Sequence, residues 1–356
     1  MHCQRRISEL TRRMKKDGLD AFIVSKPENI FYLTSFLSDS IILVVSPKKK
    51  FAITDFRYAE AAGNKVKGFE LIILGSKLNT FSQAISAVLE KSRTKKVGFE
   101  ASSLTFLQYK NIKLALRNKA LRPCTDLLES LREIKDSGEI DTIKRAFAIT
   151  KEALKEVKRV LSPNITEREV VLRIKESFIR QGAEGAAFEP IVATQPGASE
   201  PHYSAKAKKL GKDKPILVDL GAKYNGYNSD LTRVLPLGKM NTKFTALYQI
   251  LLEAQKRAMD IIRPGARISD VDSAARQYIA GEGFGRFFGH SLGHGIGLEV
   301  HEKPTISARN TGLLREGMVF TVEPGIYIPG CGGLRLEDTV LVTKKGCRTL
   351  THDIDK

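Results

Sequence analysis

Long apolar runs are absent from this chain of 356 residues. No stretch approaches the roughly 18–20 consecutive apolar residues that a membrane-spanning helix needs. The first residues, MHCQRRISELTRRMKKDG, are polar and contain no apolar segment of the kind that directs export. Low-complexity segments are lacking as well. We therefore expect a folded protein that does not enter membranes and that resides in the cytoplasm.

Cysteine is also scarce, with four residues in the whole chain. They are Cys3, Cys124, Cys331 and Cys347, and no two of them form a Cys-x-x-Cys pair. This scatter argues against a disulfide framework and against a structural zinc site built from thiolates. It suits a reducing compartment.

Acidic residues are outnumbered by basic ones, which gives a formal net charge of +18. Residues 1–125 hold 23 Lys/Arg and 10 Asp/Glu, whereas residues 126–356 hold 35 and 30. The basic clusters SPKKK and KSRTKK fall at expected turns, without interleaved aromatic residues of the kind that bind nucleic acid. A solvated basic surface on the first third of the chain is therefore favoured, and a nucleic-acid partner is not expected.

The length of the chain predicts two domains, which we place at residues 1–125 and 126–356. In the first, short apolar runs such as SIILVVS and FAITD alternate with helical patterns, which predicts an α/β domain. In the second, two long helical patterns precede strands, and the same order then repeats, which predicts an α+β domain. A duplicated half-unit would explain this order, although no residue-level repeat proves it.

The stretch DLGAKYNGYNSDLTR raises a question of charge, because Asp219 ends an apolar, strand-like run and Asp230 follows across a turn. A loop at residues 223–226 would place the two aspartates directly opposite in a hairpin, whereas a two-residue Asn225-Gly226 turn would make them diagonal neighbours. Either register leaves both carboxylates on one face, about 4.5–8 Å apart. Such a pair is costly to bury unless cations neutralise it.

A second acidic pair, Glu323 and Glu337, lies in strand-like runs near the C-terminus, and the glycine-rich segment between the two pairs adds His290, His294 and His301. Four carboxylates carry a charge of about −4, which two divalent cations would balance. Oxygen ligands with one imidazole favour Mn²⁺ or Co²⁺ over a thiolate-rich zinc site, although Zn²⁺ stays possible. Two bridged metals can generate a hydroxide nucleophile and polarise a carbonyl, so we expect amide hydrolysis.

These motifs together resemble the pita-bread metallopeptidases, specifically the Xaa-Pro peptidase branch of prolidase and aminopeptidase P. DLGAKYNGYNSDLTR, GHSLGHGIGLEVHE, TVEPGIY and LRLEDTV follow one another in the order of that family, and the resemblance covers roughly residues 130–350. It implies a creatinase-like α/β N-terminal domain, an α+β pita-bread (creatinase/aminopeptidase-like) catalytic domain and a homodimer. The implied activity is hydrolysis of the bond between an N-terminal residue and a following proline, in dipeptides or in longer peptides.

The resemblance also implies a metal centre with five ligands. Asp219 would bind one ion, His294 and Glu323 would bind the other, and Asp230 and Glu337 would bridge both.

Further roles follow from the resemblance for side chains around those ligands. His202, His290 and His301 would bind the substrate, and His301 would stabilise the tetrahedral intermediate. Arg335 would orient the bridging carboxylates, and Glu323 would carry a proton to the leaving amine. His202, His301, Glu323 and Arg335 form the expected catalytic set.

The sequence departs from the family pattern at Thr194-Gln195, Glu200, Tyr203 and Thr305. Glu200 and Tyr203 flank the Pro201-His202 pair, and some prolidases carry a carboxylate-binding arginine where Thr305 stands. Whether dipeptides or longer peptides are preferred therefore stays open. Two alternatives also stay open: a methionine-type aminopeptidase and a catalytically inactive binding module of the same fold.

Overall fold

A computed structural model describes residues 2–90, 94–351 and 354. The chain divides into two compact units, Met1–Arg132 and Glu133–Lys356. The domain boundary expected after residue 125 is slightly earlier in the chain than the boundary between these units, which follows Arg132. A short helix, Glu129–Arg132, belongs to the first unit, where Arg132 Nη1 donates to Asn29 Oδ1 over 2.9 Å.

The first unit contains six helices and six strands among its described residues. They are α1 His2–Lys16, β1 Ala21–Val24, α2 Pro27–Thr34, β2 Ile41–Val45, β3 Lys50–Thr54, α3 Ala59–Lys65, β4 Glu70–Ile73, α4 Phe81–Glu90, β5 Lys96–Glu100, α5 Phe106–Ala115, β6 Ala120–Cys124 and α6 Glu129–Arg132. The strands form one sheet in the order β4-β3-β2-β1-β5-β6, in which β1–β2 and β2–β3 are antiparallel pairs and the rest are parallel. The short apolar runs of the sequence are its buried central strands, because strands covered on both faces need apolar residues throughout.

The second unit contains four helices and thirteen strands among its described residues. They are α7 Ser137–Val160, α8 Glu167–Arg180, β7 Gly185–Ala186, β8 Ile191–Ala193, β9 Lys214–Leu220, β10 Ala222–Tyr224, β11 Tyr227–Asn228, β12 Leu231–Leu237, α9 Thr242–Asp260, α10 Ile268–Gly281, β13 Gly293–Gly295, β14 Glu302–Ile306, β15 Val319–Val322, β16 Gly325–Ile328, β17 Gly332–Arg335, β18 Asp338–Val342 and β19 Cys347–Thr349. The order of a helix pair followed by strands occurs twice, as the sequence predicts.

The helices begin where the sequence supplies caps and stripes of apolar residues. Thr166 and Glu169 form a reciprocal capping box at the start of α8, with Glu169 N donating to Thr166 Oγ1 over 3.2 Å. Helices α7 and α8 bury one apolar face against β9 and β12, and α9 and α10 bury theirs against β15, β16 and β18. Each helix pair therefore covers the sheet of its own half.

The strands of the second unit form small antiparallel sheets. One has the order β12-β9-β8, another has the order β14-β13-β15-β18-β19, and β16 pairs with β17. Among the described residues, no helix combines the length and the apolar character needed to cross a membrane.

The hairpin that carries the first acidic pair turns through two residues. Tyr224 pairs with Tyr227, and Asn225 and Gly226 adopt φ values of 45° and 78°. Both values lie in the left-handed region that a two-residue hairpin turn requires. Asp219 therefore pairs with Thr232, and Asp230 is its diagonal neighbour. Of the two registers that the sequence allows, the structure adopts the one set by the Asn-Gly turn.

Candidate metal centre

The acidic residues of the site lie on or next to interruptions in the strands. Asp219 is in β9, whereas Asp230 falls between β11 and β12. Glu323 separates β15 from β16, and Glu337 separates β17 from β18. The strand-like runs expected around these two glutamates are therefore each broken in two at the glutamate.

The structure brings the predicted ligands together. Ligand atoms of Asp230, His294 and Glu337 all lie within 4.8 Å of one another. His294 Nε2 is 3.2 Å from Glu323 Oε1 and 3.6 Å from Asp230 Oδ2. Asp219 joins the group through Arg335, whose Nη2 is 2.6 Å from Asp219 Oδ2 and whose Nε is 4.0 Å from Glu323 Oε2. A single imidazole and four carboxylates thus converge.

The ring orientation of His294 follows from its backbone contact. Its Nδ1 is 3.2 Å from the carbonyl oxygen of Gly295. Because a carbonyl only accepts hydrogen bonds, Nδ1 carries the proton of that bond, and Nε2 points toward the carboxylates. Thr321 fixes the backbone at the same place, since its Oγ1 accepts from His294 N over 3.0 Å and donates to Glu323 Oε1 over 3.2 Å.

The carboxyl groups of the cluster repel one another when ionised, and this repulsion, together with burial, changes their pKa values. Burial, together with the charges of Glu323 and Asp219, raises the pKa of Glu337 to about 8. Burial and the charge of Glu337 raise the pKa of Asp230 well above its usual value. Burial also raises the pKa of Asp219, although Arg335 opposes this shift. Glu323 differs: burial acts to raise its pKa, but His294 and Arg335 outweigh it and lower the pKa to about 2.

Within the acidic cluster of Asp219, Asp230, Glu323 and Glu337, two buried carboxylate oxygens lack a hydrogen-bond partner among the described residues: Asp219 Oδ1 and Glu337 Oε1. A buried, unpartnered carboxylate oxygen is unfavourable by several kcal/mol at least, unless a cation contacts it. Oxygen-rich donors, raised pKa values and these two oxygens fit a site for divalent cations.

Arg335 and Thr232 connect Asp219 and Glu337 through hydrogen bonds. Besides contacting Asp219, the Arg335 guanidinium donates to Thr232 Oγ1 over 3.0 Å and to Tyr327 Oη over 2.8 Å. Thr232 Oγ1 in turn donates to Glu337 Oε2 over 2.8 Å. These contacts fix the orientation of Asp219 and Glu337.

The three remaining predicted histidines line the same cavity as the acidic cluster. This cavity measures about 560 Å³, and His202, His290 and His301 are on its walls together with all five predicted ligands and Arg335. His301 packs edge-on against His294, with ring centroids 4.2 Å apart. Apolar wall residues include Phe188, Ile191 and Val300. The structure thus gathers every residue that the sequence pointed to at one place.

Sequence reasoning did not identify several side chains that support this site. Thr232 and Thr321 each stand two residues from a predicted ligand, so strand alternation places them on the same face, and this spacing could have revealed them. Tyr327 and the helical residues Asp272 and Arg276 gave no comparable signal, since their contacts with the site form only in the tertiary fold.

Comparison with known proteins identifies the family. The model of metallopeptidase family M24 matches residues 141–344, and the model of the creatinase/prolidase N-terminal domain matches residues 6–134. The chain belongs to metallopeptidase family M24. The metal-dependent peptidase class predicted from the motifs is therefore confirmed.

Individual relatives match almost the whole chain. A protein named Xaa-Pro dipeptidase from Pyrococcus furiosus is 37% identical over 97% of this chain and 97% of its own length. A solved structure of Xaa-Pro dipeptidase from Bacillus anthracis has a TM-score of 0.94 at 34% identity, covering 98% of both chains. The crystal structure of X-Pro aminopeptidase from Thermotoga maritima has a TM-score of 0.88 at 35% identity, covering 95% of this chain and 97% of that one. The predicted two-domain fold class is confirmed.

Proposed function

We propose that this M24 metallopeptidase hydrolyses the peptide bond between an N-terminal residue and a following proline. The observation that carries the proposal is the convergence of Asp230, His294 and Glu337 within 4.8 Å at a cavity that also receives Asp219 and Glu323. The preference for proline is supported by the names of relatives that match nearly the full length of the chain. Such bonds call for a dedicated enzyme, because the prolyl nitrogen lacks a hydrogen and its ring restricts the backbone.

Asp219, Asp230, His294, Glu323 and Glu337 would hold two divalent ions, with Mn²⁺ or Co²⁺ favoured by a donor set of oxygens and one imidazole. When bound, the ions would offset the mutual repulsion of the carboxylates and lower the pKa of a water molecule to near neutral. Arg335 would keep Asp219 oriented through its 2.6 Å contact.

The side chains of the cavity would handle protons and the substrate. The pKa of Glu323 is lowered to about 2, so its carboxylate is ionised and ready to bind a cation at neutral pH. We also assign to Glu323 the uptake of a proton from water. The leaving prolyl nitrogen must gain a proton, and Glu323 is the group we assign to deliver it. His301, on the cavity wall, would donate a hydrogen bond to the oxygen of the tetrahedral intermediate.

His202 and His290 would bind the substrate on either side of the scissile bond. His290 stands edge-on to Phe288, with ring centroids 5.0 Å apart, and lies 5.6 Å from the ring of Tyr327. The rings of His290 and Tyr327, which line the cavity, offer an apolar surface that suits the pyrrolidine ring of proline.

The two alternatives from the sequence are not favoured. A catalytically inactive relative would be expected to lose ligands, whereas all five positions are filled and gathered here. A methionine-type aminopeptidase is disfavoured because the chain carries a creatinase/prolidase N-terminal domain and because the similar proteins named above are called Xaa-Pro dipeptidase or X-Pro aminopeptidase.

Assembly and location belong to the proposal as well. We propose a homodimer in the cytoplasm, with peptides as partners and without nucleic acid. All four cysteines are free, which agrees with a reducing compartment.

The test is hydrolysis of Ala-Pro, Ala-Pro-Ala, Ala-Ala and Met-Ala by protein treated with a chelator and then supplied with Mn²⁺, Co²⁺ or Zn²⁺ separately. We expect one or both proline substrates to be cleaved at least about tenfold faster than Ala-Ala and Met-Ala. Faster cleavage of Met-Ala would support the methionine-type alternative. The ratio of Ala-Pro to Ala-Pro-Ala decides between a dipeptidase and an aminopeptidase.

A further inference from the structure

The wall of the cavity at His290 lies on a chain segment that contains an exposed glycine between the buried residues Phe288 and Leu292. Gly289, just before His290, is exposed, and no atom lies within 4 Å of where its Cβ would be. A glycine in such surroundings can adopt many backbone conformations. The His290 ring is held by its own segment, because its Nδ1 is 2.8 Å from the carbonyl oxygen of Ser291, whereas its buried Nε2 has no hydrogen-bond partner among the described residues. The orientation of the ring therefore depends on the backbone around residue 290.

That backbone is held by Arg276, which lies on α10 outside the cavity lining. Its Nη1 donates to the carbonyl oxygen of Phe288 over 2.9 Å, and its Nη2 donates to the carbonyl oxygen of His290 over 2.7 Å. The two carbonyls flank Gly289. The guanidinium also stacks on the Phe288 ring at 4.3 Å, and that ring is the edge-on neighbour of His290.

Asp272, one helical turn earlier, fixes the arginine and the far end of the segment. Its two oxygens accept from Arg276 Nε and Nη2 over 2.7 and 2.8 Å. Asp272 Oδ1 also accepts from Leu292 N over 3.0 Å, and Asp272 is fully buried. The Asp272–Arg276 pair therefore holds the backbone of residues 288–292 at three points.

We propose that Arg276 is a positioning residue for His290, and that the forked guanidinium on α10 sets how His290 meets the proline side of the substrate. The substrate role of His290 rests on the proposed function. A lysine at position 276 would keep the positive charge, but a single ammonium cannot reproduce the planar fork that reaches two carbonyls and a carboxylate together.

The chain offers a closely matched control in Arg257 on α9. Its Nε pairs with Glu253 four residues earlier over 2.7 Å, and its guanidinium stacks on Tyr278 at 4.1 Å. It shares the helical pairing and the aromatic stack of Arg276, but these contacts are with Glu253 and Tyr278 and not with residues 288–292. Arg276→Lys and Arg257→Lys therefore differ mainly in whether the segment at His290 is held.

The first measurement is kcat and KM on the best proline substrate, for both lysine variants alone and combined with His290→Phe. We expect Arg276→Lys to lower kcat/KM about tenfold to a hundredfold with unchanged metal content, and Arg257→Lys to stay within about twofold. In the His290→Phe background, Arg276→Lys should add less than about threefold, because both changes remove the same interaction. Full multiplication of the two effects, or wild-type activity of Arg276→Lys, would overturn the proposal.

The second measurement does not depend on turnover. The imidazole NMR signal of His290, assigned by its loss in His290→Phe, should move or broaden in metal-free Arg276→Lys and stay in place in Arg257→Lys. An unmoved signal refutes the positioning role even if the wild type proves to cleave other peptides. If the wild type cleaves no proline substrate while the signal moves, the proposed function fails and the positioning role stands. Should Arg276→Lys not fold, Arg276→Gln replaces the guanidinium fork by a shorter amide, and the same two measurements decide.

Discussion

Thr232 lies directly opposite Asp219 across the β9–β12 hairpin, and its hydroxyl is the hydrogen-bond link between Arg335 and Glu337. Because Thr232 Oγ1 both accepts from Arg335 Nε over 3.0 Å and donates to Glu337 Oε2 over 2.8 Å, one buried hydroxyl orients two sides of the acidic cluster. Contacts of this kind around metal ligands are worth about 10- to 100-fold in metal affinity or activity.

Replacement of Thr232 by valine keeps the shape of the side chain and removes both hydrogen bonds. We expect Thr232→Val to weaken metal binding about tenfold, since Glu337 and Arg335 lose their common partner. The measurement is a metal titration of chelator-treated protein by calorimetry. Thr54→Val is the control, because Thr54 Oγ1 is a buried donor to Ser40 O over 2.7 Å in the first unit. Equal metal affinities for the two variants would contradict the role of Thr232.

The acidic cluster was predictable from sequence because its members stand in short, recognisable segments. The Asn225-Gly226 turn limited the hairpin to two registers, and both placed Asp219 and Asp230 on one face. The sequence could not decide between the registers, since four-residue and two-residue turns share the same residues. The choice became visible only with the pairing of Tyr224 and Tyr227.

The supporting residues were harder to predict because their partners are distant in the chain. Arg276 reads as one member of an ordinary i,i+4 pair on an amphipathic helix, and its bonds to Phe288 O and His290 O arise from tertiary packing. Glu167, in the first turn of α8, likewise reads as a favourable N-terminal acid. Its burial results from residues 194–206 folding back over it.

Replacing Asp230 or Asp338 by asparagine should change the melting temperature of the metal-free protein in opposite directions. Asp230→Asn removes one of several mutually repelling carboxylates, so we expect the metal-free protein to melt a few degrees higher. The same variant should lose the rise in melting temperature that Mn²⁺ or Co²⁺ produces, together with activity, because a ligand is gone.

Asp338→Asn provides the contrast. Asp338 Oδ1 is 2.8 Å from Arg233 Nη2, and both side chains are 1% exposed. Loss of this charge leaves a buried guanidinium short of its counter-ion, which destabilises by about 3 kcal/mol. We expect a lower melting temperature with and without metal, and a retained metal-induced rise. If Asp230→Asn also keeps the metal-induced rise, Asp230 is not a ligand.

Metal binding near neutral pH should release protons. In chelator-treated protein the pKa of Glu337 is raised to about 8, so this carboxyl group is largely protonated at pH 7. A cation must displace that proton, and apparent metal affinity should therefore increase with pH up to about pH 8 and then level off. The proton count comes from calorimetric titrations in two buffers with different ionisation enthalpies.

The same raised pKa fixes the sign of a stability change. A folded-state pKa of about 8, above the ordinary value of 4.5, means that the folded metal-free protein binds the proton more tightly than the unfolded chain. Its contribution is fully present below about pH 4.5 and is lost as pH rises through 8. We expect the melting temperature of the metal-free protein to fall between pH 6 and pH 9. The fall should be smaller in Glu337→Gln, which lacks this titrating group. A buffer-independent binding heat at pH 7 would contradict both expectations.

Tyr203 follows His202 directly, and the structure shows what its side chain contacts. Its hydroxyl donates to Glu167 Oε2 over 2.9 Å, and Glu167 also accepts from Lys206 N over 3.0 Å and from Thr194 N over 3.0 Å. One buried carboxylate thus holds the loop that presents His202 to the cavity.

Removal of that single hydroxyl should loosen His202 without touching the metal centre. We expect Tyr203→Phe to raise KM for proline peptides about threefold to tenfold, with kcat and bound metal nearly unchanged, because the loss is in substrate binding. The measurement is steady-state kinetics with metal analysis of the same sample. Tyr248→Phe, a half-buried tyrosine on α9 outside the cavity lining, is the control and should match the wild type. If Tyr203→Phe lowers kcat and metal content together while KM stays constant, the loop supports the metal centre itself and not His202.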